Sequence, residues 1–178
     1  WSKVSGPGTV SFVSPATAAT SVSFSAVGTY VLRFTATGTF AVADELTVVA
    51  SESYDAWAVR TLGSVDPLIT GKLRDPDRDG ITNLIEFALG LNPAKSSSGG
   101  LPVASIASGS LKLTYQRYAG CGLTYFAEVS DNLLTWSSSS VTEVMTGTEG
   151  AQQTWVATDN TPMGAVPHRF MRVRVVSQ

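Results

Sequence analysis

The chain has 178 residues, 43% of them hydrophobic and only 15% charged, with a formal net charge of −2; this is length enough for one or two domains with real cores and excludes a disordered polyelectrolyte. Twelve Lys and Arg against fourteen Asp and Glu leave no cationic excess to neutralise phosphates, which argues against nucleic acid as a partner. A single cysteine excludes an internal disulfide framework and a Cys-rich metal centre, and no apolar run approaches the roughly 20 residues of a membrane helix, so no membrane insertion is expected.

Residues 1–50 hold seven Ser and eight Thr among Val, Phe and Ala, a β-favouring palette with a neutral polar face. Alternating runs at 9–13, 21–25, 31–35 and 45–49 predict strands, punctuated by Gly6-Pro7-Gly8, by Ser14-Pro15 and by Gly28-Thr29-Tyr30. At 51–93 the pattern changes. Ser53 is placed to cap a helix that carries Tyr54, Trp57, Ala58 and Leu62 on one face and stops at Gly63. After an acidic loop, 83–89 reads as a second helix ended by Gly90 and shut off by Pro93; the composition of 94–100 is that of a flexible linker.

Residues 101–178 return to strands, at 111–115, 124–129, 154–158 and 169–175, with weaker candidates at 103–106 and 141–145. Short strands at this spacing predict a β-sandwich. Ala119-Gly120-Cys121-Gly122 suits a hairpin between the first two. The expected fold is mostly β: two sandwich-like modules, 1–50 and 101–178, joined by a short helix–loop–helix.

One constellation carries strong chemistry. Asp75-Pro76-Asp77-Arg78-Asp79-Gly80-Ile81-Thr82-Asn83-Leu84-Ile85-Glu86 fits the calcium-loop pattern at each specified position. Ca²⁺ takes six to eight oxygens at about 2.3–2.6 Å, and a turn of this length supplies them from fixed positions. Here these are the carboxylates of Asp75, Asp77 and Asp79, the backbone carbonyl of Ile81, Asn83 directly or through water, and Glu86 as the closing ligand. Gly80 is expected to allow the sharp bend, where a Cβ would clash. Thr82 stands where paired EF-hands place an apolar residue, and there is no second loop, so a structural site fits better than a Ca²⁺ sensor.

Three resemblances follow from these residues. Trp1 to Gly8, Phe24 to Arg33 and Glu45 to Val49 resemble the second half of a PKD-like, immunoglobulin-type sandwich of large secreted bacterial proteins. Such domains have two further strands ahead of this point, which implies that the half-sandwich packs on the rest of the chain or that another copy supplies the missing strands. The acidic loop with Asn92-Pro93 resembles a thrombospondin type 3 or dockerin-type repeat, EF-hand-like in its ligands. The pattern from Leu123 to Trp136, with Arg169 to Val173, resembles the C-terminal module of many exported bacterial proteins. Together they imply a secreted or cell-surface location and a chain that is covalently part of a larger protein.

Weaker signals have plainer readings. Cys121 and His168, the only thiol and only imidazole, could form a nucleophilic pair, but no base neighbours Cys121 in sequence. Acids for glycoside hydrolysis could be drawn from Glu128, Asp131, Glu143, Glu149 and Asp159, as from any β domain. Trp155, beside Gln152 and Gln153, and Tyr118, near Gln116 and Arg117, are the candidates for stacking on sugar rings; the plain reading of the aromatics, of Trp57 and Trp136 above all, is core. Arg169, Arg172 and Arg174 are expected on one solvated face of the last strand. The expected function is therefore a non-catalytic, Ca²⁺-stabilised accessory module, a carbohydrate-binding module of a polysaccharide-acting enzyme, with a purely structural stalk or surface-attachment module as the alternative.

Overall fold

A computed structural model describes residues 1–177. The fold is mostly β, with 44% strand and 11% helix. No helix is long and apolar enough to cross a membrane.

The first fifty residues form five strands, β1 (Ser2–Ser5), β2 (Val10–Phe12), β3 (Val22–Phe24), β4 (Gly28–Thr37) and β5 (Ala41–Ala50). They pair antiparallel as a three-stranded sheet β1-β4-β5 and a separate hairpin β2-β3. Alternation along β4 directs Tyr30 and Leu32 inward, and both are fully or nearly buried. Phe24 of β3 covers Tyr30 at 4.6 Å between ring centroids, and the Tyr30 hydroxyl donates to the Ala26 carbonyl. Gly6 is required here: its φ is +129° and an added Cβ would fall 2.3 Å from the Tyr30 ring. The cover ends quickly. Toward the β4–β5 turn, Leu46, Val42 and Phe40 are exposed. At its opposite end this first module meets the rest of the chain, where Gly28 approaches Gly150 and Gly120 lies against Val49 and Ser51.

Three helices follow: α1 (Tyr54–Leu62), α2 (Pro67–Thr70) and α3 (Asn83–Leu89). The Ser53 hydroxyl accepts from the Ala56 amide, and Gly63 closes α1 in the left-handed conformation. Within the loop expected between two helices, Asp66 caps the four-residue α2, which starts on Pro67. Tyr54, Trp57, Ala58 and Phe87 form one core cluster, with Trp57 and Phe87 5.1 Å apart and Tyr54 edge-on to Phe87 at 5.6 Å. Tyr118, Cys121 and Leu123 from the following module pack on this cluster.

The last module contains β6 (Val103–Ala107), β7 (Ser110–Tyr118), β8 (Leu123–Ser130), β9 (Val141–Glu149), β10 (Gln152–Asp159) and β11 (Phe170–Ser177). Sheet β6-β7-β10-β9 faces the pair β11-β8 across a core of Leu113, Tyr115, Ala127 and Ala157. The glycine-bearing turn at 119–122 is not a hairpin: β7 pairs with β6 and β10, and β8 with β11. The chain crosses from one sheet to the other there, held by the Ala119 amide on the Ala151 carbonyl and by the Tyr118 amide on the Tyr125 hydroxyl.

The arginines also separate. Arg172 and Arg174 share a face of β11 and both bind Glu128, while Arg169 precedes the strand and pairs with the fully buried Asp159. Positions 169 and 172 differ by an odd number, so period-two alternation sends them to different faces. Trp136 is not core; its ring stacks under the Arg172 guanidinium at 4.0 Å and is half-buried.

Candidate functional site

The acidic loop folds as a nest of backbone amides around its own carboxylates. Asp75 accepts from the amides of Arg78 at 2.7 Å, Asp79 at 3.2 Å and Gly80 at 2.9 Å. Asp77 Oδ1 accepts from Asp79, and Asp79 Oδ1 accepts from the Ile81 amide. Arg78 and Gly80 make the turn with φ of +63° and +88°. Gly80 is needed for that φ alone, since a Cβ there would meet nothing within 4 Å; the steric clash expected from the sequence is absent. One oxygen from each of Asp75, Asp77 and Asp79 lies within 4.8 Å of the others.

Glu86, in the first turn of α3, is fully buried, and neither carboxylate oxygen has a hydrogen-bond partner among the described residues. Asp77 Oδ2 is likewise buried and unpartnered. Burial first, then the charges of Asp77, Asp79 and Asp75, raise the Glu86 carboxyl from 4.5 to about 7. Burial also raises Asp77. For Asp75 burial acts in the same direction, but the amides of Gly80 and Arg78 outweigh it and the carboxyl is lowered. A buried carboxylate without donors costs several kcal/mol when ionised, on the order expected for any uncompensated ion, and the adjoining Asp75, Asp77 and Asp79 are a group that could hold a metal ion.

Asn83 divides its roles. Its Nδ2 donates to the carbonyls of Ile69 at 2.8 Å and Gly71 at 3.0 Å, stapling α2 to α3, while Oδ1 is left unpartnered. Ile81 lines an apolar hollow of about 260 Å³ with Ile85, Leu89, Val173 and Val175, so the loop abuts β11. The stretch 94–100 is tied to the loop rather than free of it: the Ser97 amide donates to Asp79 Oδ2 at 2.8 Å. Nothing in the sequence signals that bond.

Trp155 and Tyr118 do not form one platform. Trp155 stands opposite Tyr115 and Tyr118 opposite Gln152, so an odd three-residue offset on β7 puts them on opposite faces of the sheet. The Arg117 guanidinium covers the Trp155 ring at 4.1 Å, and Arg117 is itself held by Glu143 and the Tyr115 hydroxyl. Tyr118 packs 5.5 Å from Phe87 and lines two adjoining hollows together with Arg60. Sequence reasoning missed Glu52 and Arg60 there; separated by eight residues, with Glu52 ahead of the helix, they follow no helical spacing rule.

Cys121 and His168 lie beyond opposite ends of β8, since Leu123 pairs with Ser177 and Ser130 with Phe170; roughly 23 Å of strand separates those ends. Glu128, Glu143 and Asp159 are each engaged by arginine. No family model, curated protein or solved structure matches the chain.

Proposed function

We propose that residues 75–86 bind one Ca²⁺ ion and that the chain is a non-catalytic, calcium-stabilised accessory module of a secreted protein. The observation that carries this reading is Glu86, a fully buried carboxylate with two oxygens unpartnered among the described residues, which feels the charges of the clustered Asp75, Asp77 and Asp79. The ion would be held by Asp75, Asp77, Asp79 and Glu86, with the Ile81 carbonyl and Asn83 Oδ1 completing an all-oxygen set suited to a hard cation. It supplies charge neutralisation and cross-links the loop to α3.

From there the effect reaches the helices and the last module. Asp79 holds Ser97, Asn83 holds α2, and α3 packs against β7 and shares an apolar hollow with β11. The metal would thus brace the joint that leads into the C-terminal β module, the role expected of a spacer or attachment unit. Loops of this kind in extracellular modules bind at about 10⁻⁴–10⁻³ M, a range filled outside the cell.

Isothermal titration of metal-stripped protein with Ca²⁺, and with Mg²⁺ as the control, tests the reading. One Ca²⁺ per chain, abolished by Asp77→Ala, is expected. An absence of heat and of bound metal at millimolar Ca²⁺ would overturn it.

A further inference from the structure

Residues of α1 also border two hollows, of about 630 and 270 Å³, which adjoin at Arg60 and Tyr118 along a groove from the end of β5 past α1 to Gln152. The larger is within the size of ordinary ligand sites, roughly 300–1,000 Å³. Its aromatic wall is Tyr118, backed by Trp57 and Phe87.

The polar groups are fixed in place. Arg60 donates through Nε and Nη2 to the two oxygens of Glu52 at 2.8 and 2.7 Å, which locks both side chains while leaving Arg60 62% exposed to the groove side and solvent. Thr61 Oγ1 is buried beside Trp57 without any partner among the described residues. Gln152 Nε2 is engaged by the Leu89 carbonyl, which leaves its Oε1 as an acceptor. The Tyr118 hydroxyl has no hydrogen-bond partner among the described residues, and burial together with Glu52 raises its pKa, so it stays protonated as a donor.

We propose that this groove binds a neutral carbohydrate, a segment of a polysaccharide chain seated against Tyr118 with its hydroxyls on Glu52, Arg60 and Gln152. The charges decide the class. Glu52 cancels Arg60, so an anion gains nothing that it does not lose. A purely apolar ligand would cover the Glu52–Arg60 ion pair without replacing its water. A sugar ring offers an apolar C–H face to the aromatic ring and, at its edge, hydroxyls that both donate and accept. The site is separate from the acidic loop; its walls come from residues 24–27, the end of β5, α1 and the β7–β10 pair.

The test uses the whole chain in Ca²⁺ buffer, titrated with cellohexaose, xylohexaose, laminarihexaose and mannohexaose, and with oligogalacturonate as the anionic control, read by calorimetry and by intrinsic tryptophan fluorescence. Binding of at least one neutral oligosaccharide is expected, weakened about tenfold or more by Arg60→Ala and by Tyr118→Ala, and within about twofold of wild type in Trp155→Ala. Arg60 is exposed, so its variant keeps the readout if Tyr118→Ala fails to fold. Failure of every neutral sugar to bind at millimolar concentration, binding of oligogalacturonate alone, or binding unaffected by Arg60→Ala would overturn the proposal. Ca²⁺ titration of the same samples reports the acidic loop separately, so loss of one site is not mistaken for loss of the other.

Discussion

The Tyr125 hydroxyl donates to the Ala88 carbonyl at 2.8 Å, joining the inner face of β8 to the last turn of α3. The same oxygen accepts from the Tyr118 amide at 3.1 Å. One half-buried phenol therefore connects the helical joint, the corner between two sheets and the C-terminal core.

Tyr125→Phe keeps the ring and removes the oxygen, which leaves a buried carbonyl and a buried amide unsatisfied. The expected loss is about 1–3 kcal/mol. Chemical denaturation of the variant in Ca²⁺ buffer checks it, and an unchanged midpoint would show that the seam contributes nothing.

Calcium should raise the melting temperature. A ligand at one hundred times its Kd stabilises by about 2.7 kcal/mol, which for a chain of this size is about 5–10 °C. Scanning calorimetry with and without excess EGTA reads this directly. Equal melting temperatures would remove the structural role assigned to the ion.

The metal-free protein should become less stable as pH rises from about 5 to 8. Its Glu86 carboxyl is raised from 4.5 to about 7, so within that window the folded state holds a proton that the unfolded chain has released. With saturating Ca²⁺ the slope reverses, because the ion binds the carboxylate and must displace that proton. Glu86→Gln should abolish the metal effect and flatten the slope without lowering the metal-free melting temperature at pH 8. Thermal melts at several pH values, with and without Ca²⁺, test all three statements.

Asp159→Ala should be among the most damaging single changes in the C-terminal module, at about 3–5 kcal/mol, since it strands Arg169 beside Ser140 and Thr161. Burial opposes ionisation of Asp159, but the Arg169 hydrogen bonds and the Thr161 amide outweigh it and hold the carboxyl below its usual value. Glu128 is lowered as well, chiefly by Arg174 and also by Arg172. Folded values below the unfolded ones mean stability that is present above about pH 4.5 and lost as pH falls through the folded values. Acid unfolding monitored by circular dichroism should shift to higher pH in Asp159→Ala; an unmoved acid transition would show that the pair carries no such stability.

The features legible in the sequence were those set by local chemistry. The cap at Ser53, the stops at Gly63 and Gly90 and the spacing of Asp75, Asp77, Asp79 and Glu86 all depend on residues within one turn of chain. The strand assignments at 1–50 and 101–178 followed from period-two alternation in the same way. What failed was pairing. Ala119 to Gly122 has hairpin composition, yet the strands on either side join different sheets, because partner choice depends on which apolar faces meet across the core and not on the turn.

The sequence by itself determined that this chain is mostly β, that its imbalance of charge sits in residues 51–100, and that four of the seven acids there follow a calcium-loop spacing. Tertiary structure decided what those acids face. Burial of Glu86 without a donor, the Ser97 amide on Asp79 and the Asn83 amide on α2 are distances between segments brought together by packing. It also separated Tyr118 from Trp155 and placed Tyr118 beside Arg60 instead. Alternation tells which face a residue takes only once strand partners are known, and those partners are chosen by long-range burial that no local window of sequence records.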